Sequence, residues 1–223
     1  VYSLATYGAI KAISRQTLIN DDLGALNRDP ESMGRAAARL ESDVFFLQML
    51  NNPNMNDGTA LFASGHSNYT SSGTVISVAS LGVGRQTLRK QTGLNGVGYL
   101  NLAPRFLVVP PELETVAQQY TTQTNVIYTK GSDFNPFASS LQVIPEPRLS
   151  GGIGSVAGST TAWYLFADPG VIDTIEYAYL EGQEGVYMET RMGFDVDGME
   201  LKARLDFAAK PLDWRGMYKN AGA

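Results

Sequence analysis

The sequence predicts an α+β fold, with helices packed on a largely antiparallel sheet, from three observations. Apolar residues after Asp29-Pro30-Glu31 recur at helical spacing. Met199 to Phe207 alternates apolar and charged residues without error. Short β-favouring runs bounded by Gly, Pro and Asp fill most of the second half.

The chain opens on an arm. Residues 1–26 hold few apolar side chains, Tyr2, Leu4, Tyr7, Ile10, Ile13, Leu18 and Ile19. They read as an extended segment with little core of its own, ending in a short helix around Thr17 to Leu26. A long helix follows over residues 30–50. Asp29 suits the N-cap because its carboxylate can accept from orphan amides, and Pro30 suits the first helical position, where no donor is missed. Met33, Ala37, Leu40, Val44 and Leu47 form the apolar stripe, while Glu31, Arg35, Arg39 and Asp43 occupy other faces at favourable spacings. From Val44 to Leu50 the helix is apolar nearly all round, which predicts burial on several sides before Asn51-Asn52-Pro53 stops it.

Asn54 to Gly58 reads as a turn and Ser64 to Gly73 as a polar loop. A second helix is expected from a cap at Ser80, through Leu81 and Leu88, to a stop at Gly93, weakened by Gly82 and Gly84. Arg105 to Val109 reads as a buried strand. Pro110-Pro111-Glu112 then opens a helix with Leu113, Val116, Ala117 and Tyr120 on one side. Strands are expected at Leu141–Ile144, Ala162–Phe166, Thr174–Leu180, Val186–Met192 and, longest, at 199–207, after the turn Asp195-Val196-Asp197-Gly198. No internal repeat is present.

Composition bounds the function. A chain of 223 residues with 43% hydrophobic content can bury a sizeable core in one or two domains. The net charge of −5, and the lack of any Lys/Arg run longer than two, disfavour sequence-independent binding to a phosphate backbone through a broad basic patch. The absence of Cys excludes disulfides, thiolate metal sites and a cysteine nucleophile. No apolar run approaches the length of a membrane span, and no signal-peptide pattern stands at Val1. A start at Val1 in place of Met predicts a processed product or a fragment.

Candidate chemistry is thin. His66, the single histidine, sits in a loop without any Gly-x-Ser-x-Gly elbow in the chain, which favours local hydrogen bonding over general-base work. Asn20-Asp21-Asp22 and Asp195, Asp197 and Glu200 could offer oxygen ligands to a hard cation. Neither set has the calcium-loop spacing, so cap and turn roles are favoured. Gly151 to Gly158 lacks the lysine of a phosphate loop and reads as a flexible loop. Tyr177 and Tyr179 share a strand face with Ile175, which suits sheet packing better than a stacking platform for nucleic acid.

Several stretches together carry a family resemblance. They are Ser14-Arg15-Gln16-Thr17-Leu18-Ile19-Asn20-Asp21-Asp22-Leu23-Gly24, Gly34-Arg35-Ala36-Ala37, Asn52-Pro53 with Asn56-Asp57-Gly58 and Leu61-Phe62, and Pro104 to Pro110. Trp163 to Pro169, Asp213-Trp214-Arg215-Gly216 and Asn220-Ala221-Gly222 complete the set. In this order the chain resembles the Mu-type major head protein family over nearly its whole length.

The resemblance implies the capsid fold of tailed phages, named after the Hong Kong 97 phage. Residues 1–26 would be the returning part of an extended loop or arm with a short helix. Residues 27–79 and 186–223 would form a peripheral domain with spine helix 30–50 and long strand 199–207, and residues 80–185 an axial domain. It implies a shell subunit that self-assembles into hexamers and pentamers of an icosahedral phage head enclosing DNA, without sequence-specific DNA binding or membrane contact. Scaffold, portal or decoration proteins are further implied partners, and assembly in the bacterial host cytoplasm the implied setting. No enzyme activity, cofactor, catalytic residue or metal site is expected. Arg15, Asn20, Asp21, Asp22, Arg35 and Arg39 are expected to form an assembly motif at the hinge between arm and spine helix. Two rival readings are the capsid portion of a protease–capsid fusion using His66, and a binding module built on the sheet around Tyr177 and Tyr179.

Overall fold

The computed structural model describes residues 2–20, 28–122, 135–193 and 197–223. In chain order the elements are β1 (Ala5–Ser14), α1 (Arg15–Ile19), α2 (Asp29–Asn51), β2 (Tyr69–Thr70), α3 (Val78–Arg89), β3 (Pro104–Val109), α4 (Pro111–Thr122), β4 (Gln142–Pro145), α5 (Pro147–Gly151), β5 (Trp163–Ala167), β6 (Ile175–Tyr179), β7 (Tyr187–Gly193), β8 (Gly198–Pro211) and β9 (Met217–Asn220). The chain divides into two compact units, Val1–Phe45 with Tyr177–Lys210, and Phe46–Glu176 with Pro211–Ala223.

The first unit is organised by β8. It pairs antiparallel with β1 from Ala5↔Phe207 to Ser14↔Gly198 and with β7 from Tyr187↔Arg204 to Gly193↔Gly198, while β6 is a further neighbour. Because β1 and β7 meet the same β8 residues, they occupy its opposite edges. The predicted alternation is realised: Leu201, Ala203, Leu205 and Phe207 are buried, and the charged residues between them are only half-buried. Most of β1 stays exposed, with Ile10 at 70% and only Ile13 buried, as expected for an arm with little core.

The first half of α2 is amphipathic as its pattern predicts. Met33, Ala37 and Leu40 are half-buried, while Glu31, Arg35 and Arg39 are exposed. With Tyr7, Ala9, Ala203 and Leu205 the same three residues line an apolar groove of ≈ 530 Å³. Asp29 departs from its expected role. Its Oδ1 accepts from Lys11 Nζ at 2.7 Å, so the carboxylate ties the helix start to β1, and the helix begins one residue earlier than predicted. The Val44–Leu50 run is also less enclosed than expected, with Met49 alone fully buried. The short helix comes earlier than predicted: Ser14 Oγ accepts from Thr17 N, so the turn starts at Arg15.

The second unit holds a five-stranded sheet in the order β2-β9-β5-β3-β4. It is mixed, whereas the β1/β8 and β7/β8 pairs of the first unit are antiparallel as expected. β2/β9 and β3/β4 are parallel, and β3/β5 and β5/β9 antiparallel. The β3/β4 pair is parallel because α4 lies between its strands in the chain and carries it back over the sheet. β5, Trp-Tyr-Leu-Phe-Ala, is buried at every position, the mark of a strand covered on both faces. Trp163, Leu165 and Ala167 join Leu81, Leu88, Leu107, Ala117 and Tyr218 on one side. Tyr164 and Phe166 join Met49, Leu61, Phe62, Leu149 and Met217 on the other.

Two local features refine the sequence reading. The α3 cap is Ser77, not Ser80; the two serines form a reciprocal capping box, with Ser80 N donating to Ser77 Oγ and Ser77 N to Ser80 Oγ, and the helix ends at Arg89. Gly151 to Gly158 folds tightly, where a flexible loop was expected. Ile153 and Val156 exchange backbone hydrogen bonds, and a Cβ on Gly158 would stand 2.4 Å from the Leu149 carbonyl oxygen.

Candidate assembly surfaces and the His66 cluster

The residues expected to form an assembly motif fall on two helices. Arg15 opens α1; its amide donates to Asp197 O at 2.7 Å, and its exposed guanidinium lies 3.9 Å from the Asp197 carboxylate. The register explains the pair, because Ser14 faces Gly198. Asn20 caps the C-terminus of α1, its amide bonded to Gln16 O at 3.1 Å. Asp21 and Asp22 lie outside the described residues. Arg35 reaches Glu31 at 3.5 Å, one helical turn earlier, and Arg39 is exposed on the same helix. Arg15 and Arg35 thus pair with Asp197 and Glu31, acids outside the expected motif.

The polar face of the first unit's sheet is a cross-strand charge ladder. Glu189 pairs with Lys202 and Arg191 Nε meets Glu200 at 2.6 Å, each pair directly opposite in register. Arg204 stands 3.5 Å from Asp206, which also takes the Thr6 hydroxyl. The hydrogen bond and charge of Lys202 hold the Glu189 carboxyl below its ordinary range. Asp197 and Glu200, two of the three oxygen donors considered for a cation, are thus engaged by arginines, and Asp195 lies outside the described residues. Among the described residues, no group of three His, Cys, Asp or Glu is placed to hold a metal ion.

Tyr177 and Tyr179 have a packing role. The Tyr177 ring stacks on Phe207 at 6.0 Å, and Tyr179 approaches the same ring at 5.1 Å. Burial, with the Glu41 carboxylate as a hydrogen-bond partner, pushes the Tyr179 phenol up.

In the second unit His66 is 5% exposed and spoken for on three sides. Nε2 lies 2.7 Å from Asp57 Oδ2, Nδ1 lies 3.2 Å from Leu61 O, and the ring stacks on Trp214 at 4.1 Å with 13° between planes. Arg215 covers Trp214 at 4.1 Å, its guanidinium held by Asp213 and by Thr92 O. The His66 hydrogen bond, then the Thr59 amide, hold the Asp57 carboxyl below its ordinary value of 3.8. Each ring nitrogen therefore faces an oxygen that only accepts, which leaves neither placed to take a proton from a hydroxyl. The cluster clamps the 57–66 turns to the segment carrying Trp214.

The sequence profile of a family described as phage capsid protein matches residues 1–220. No curated protein matches the chain in sequence. Solved structures share the fold at low identity. The mature capsid of bacteriophage PhiM1 matches at TM-score 0.61 and 11% identity, covering 98% of this chain and 71% of that one. The capsid of Myoviridae phage XM1 matches at 0.60 and 11%, covering 99% and 74%. The holo-SrpI encapsulin complex of Synechococcus elongatus matches at 0.53 and 13%, covering 97% and 72%. With a family match running through residue 220 and the fold of solved phage capsids beneath it, the chain belongs to the phage capsid protein family and is a structural capsid subunit.

Proposed function

We propose that this subunit closes into hexamers and pentamers that tile an icosahedral shell around packaged DNA. The observation that carries the reading is the family match across residues 1–220. The engaged nitrogens of His66 favour it over the protease reading, and the contacts of the Tyr177 and Tyr179 rings with Phe207 favour it over a stacking platform. Function then resides in interfaces, with no catalytic step and no cofactor.

Within this reading residues 27–79 and 186–223 form the peripheral domain and residues 80–185 the axial domain. The 1–26 segment gains burial by lying on a neighbouring copy, as a poorly cored arm must. Arg15, Asn20, Asp21, Asp22, Arg35 and Arg39 set the geometry where arm and spine helix meet. The net charge of −5 suits a shell that holds DNA loosely and without sequence preference. Scaffold, portal and decoration proteins are its further partners, and the bacterial cytoplasm is where it assembles.

Sedimentation and negative-stain microscopy of the expressed chain test this. Capsomers or closed shells are expected. A chain that stays monomeric with and without other head proteins contradicts the reading.

A further inference from the structure

Large apolar side chains exposed to solvent are scattered singly over most of the chain, which is ordinary for a protein surface. One segment differs. In the loop after α3, Leu94 is 88% exposed, Val97 80%, Tyr99 76% and Leu100 39%. The loop is nonetheless shaped. Gly93 N donates to Gly98 O at 3.1 Å, Gly96 N to Gly93 O at 2.9 Å and Leu100 N to Gln91 O at 2.8 Å. Thr92 and Tyr99 form a β-bridge, and Gly96, Gly98 and Asn101 take the positive φ values that the tight path needs. Its base is clasped at both ends, by Arg215 Nε on Thr92 O at 2.8 Å and by Arg89 Nη1 on Asn101 Oδ1 at 3.1 Å. The backbone thus presents a pre-formed apolar knob to solvent, a surface that marks a binding contact.

We propose that this loop, Gly93–Asn101, is a homotypic contact surface on which copies of the chain meet the same loop of a neighbour. The proposal rests on the assembly reading and adds the surface that it uses. Charge selects the occupant. A rotation axis brings the same segment of each copy to one place, so any ionised side chain there is repeated and repels itself. Gln91 to Asn101 carries no Lys, Arg, Asp or Glu, in a chain where 17% of residues are charged. Leu94, Val97 and Tyr99 can be buried against their own counterparts without such a penalty. The Tyr99 hydroxyl can find a hydrogen-bond partner at the rim of the contact.

The chain contains no cysteine, so one introduced thiol reports one position. Val97→Cys and Tyr99→Cys are each assembled and treated with a short bis-maleimide, alongside Val171→Cys, a 71% exposed valine outside the loop. The expected result is a cross-linked dimer of the chain from intact particles of both loop variants. Dissociated subunits of those variants, and Val171→Cys particles, should give monomer. Particles that form normally while both loop variants stay monomeric, or cross-link only to a different head protein, overturn the proposal and leave the assembly reading standing. Val97→Asp, which repeats a charge at the contact, should lower particle yield at least ten-fold, while Val97→Thr keeps it. Equal yields from Val97→Asp and the parent also overturn it. A parent chain that forms no particles removes the assembly reading and this proposal with it.

Discussion

Asn52 and Phe62 bind each other in both directions: Asn52 Oδ1 accepts from Phe62 N at 2.7 Å, and Asn52 Nδ2 donates to Phe62 O at 3.1 Å. Asn52 also carries φ +48° just past the end of α2, the left-handed position at which helices commonly stop. One side chain ends the helix and pins the segment that supplies Leu61 and Phe62 to the core. Asn52→Ala loses two partly buried hydrogen bonds and must hold a left-handed backbone, a cost of about 2–4 kcal/mol in urea unfolding. Asn52→Gly tolerates the backbone and loses only the bonds, costing about 1–2 kcal/mol. A glycine variant as stable as the parent would show that the bonds contribute nothing.

Gly82 and Gly84 make opposite predictions within one helix. At Gly82 a Cβ meets nothing within 4 Å, so Gly82→Ala should stabilise by about 0.5–1 kcal/mol through helix propensity. At Gly84 the Cβ would stand 2.5 Å from Leu165 Cδ1 and 3.0 Å from Tyr218 Cε1, both fully buried side chains. Overpacking of about 1–3 kcal/mol outweighs the propensity gain there. Thermal melts should rise for Gly82→Ala and fall for Gly84→Ala; a rise for both would mean that the core yields.

The Asp57 carboxyl is held below 3.8 first by its hydrogen bond to His66. A depressed folded-state value gives stability that is present above the unfolded value and is lost as pH falls through the folded one. The loss from this pair therefore lies below pH 3.8. Asp57→Asn should flatten the acid limb of the stability profile in that window, and His66→Ala should return the Asp57 carboxyl towards its ordinary value in carbon-detected NMR titration. An Asp57 titration unchanged by His66→Ala would dissociate the two groups.

Arg15 separates a stabilising role from an assembly role. Its ion pair with Asp197 is 3.9 Å long and solvent-exposed on both sides, so Arg15→Ala should change unfolding free energy by less than about 0.5 kcal/mol. If the hinge residues form an assembly motif, the same variant, and Asp21→Ala with Asp22→Ala, should lose particles while keeping the parent's circular dichroism and metal content. Normal particle yield from both variants would remove these residues from assembly.

Much of this architecture is legible from local pattern. The alternation of Leu201, Ala203 and Leu205 with Lys202 and Arg204 marks β8, and the unbroken apolar run from Trp163 to Ala167 marks a strand buried on both faces. Ala117 with Leu113, Val116 and Tyr120 marks the inner side of α4. Periodicity reports which side of an element is apolar, not what covers it. Asp29 reads as a cap until the arm places Lys11 beside it, and Ser80 reads as the cap of α3 until its reciprocal bonds with Ser77 form. His66 meets Trp214 only through the fold of the second unit, so its stacking has no signature in the loop around it. The charged positions of the candidate assembly motif are visible in sequence, but the partner of Arg15 comes from strand register, which side-chain period alone does not set. Leu94, Val97 and Tyr99 have the composition of a core segment, and their exposure follows from a glycine-shaped turn.

The most direct test of the central claim is a cryo-EM reconstruction of the particles that the expressed chain forms. The account predicts icosahedral shells built from pentamers and hexamers of this chain, with the described elements of both units traceable in every subunit. A single monomeric species in solution, without capsomers or shells at any concentration or with co-expressed head proteins, would contradict it.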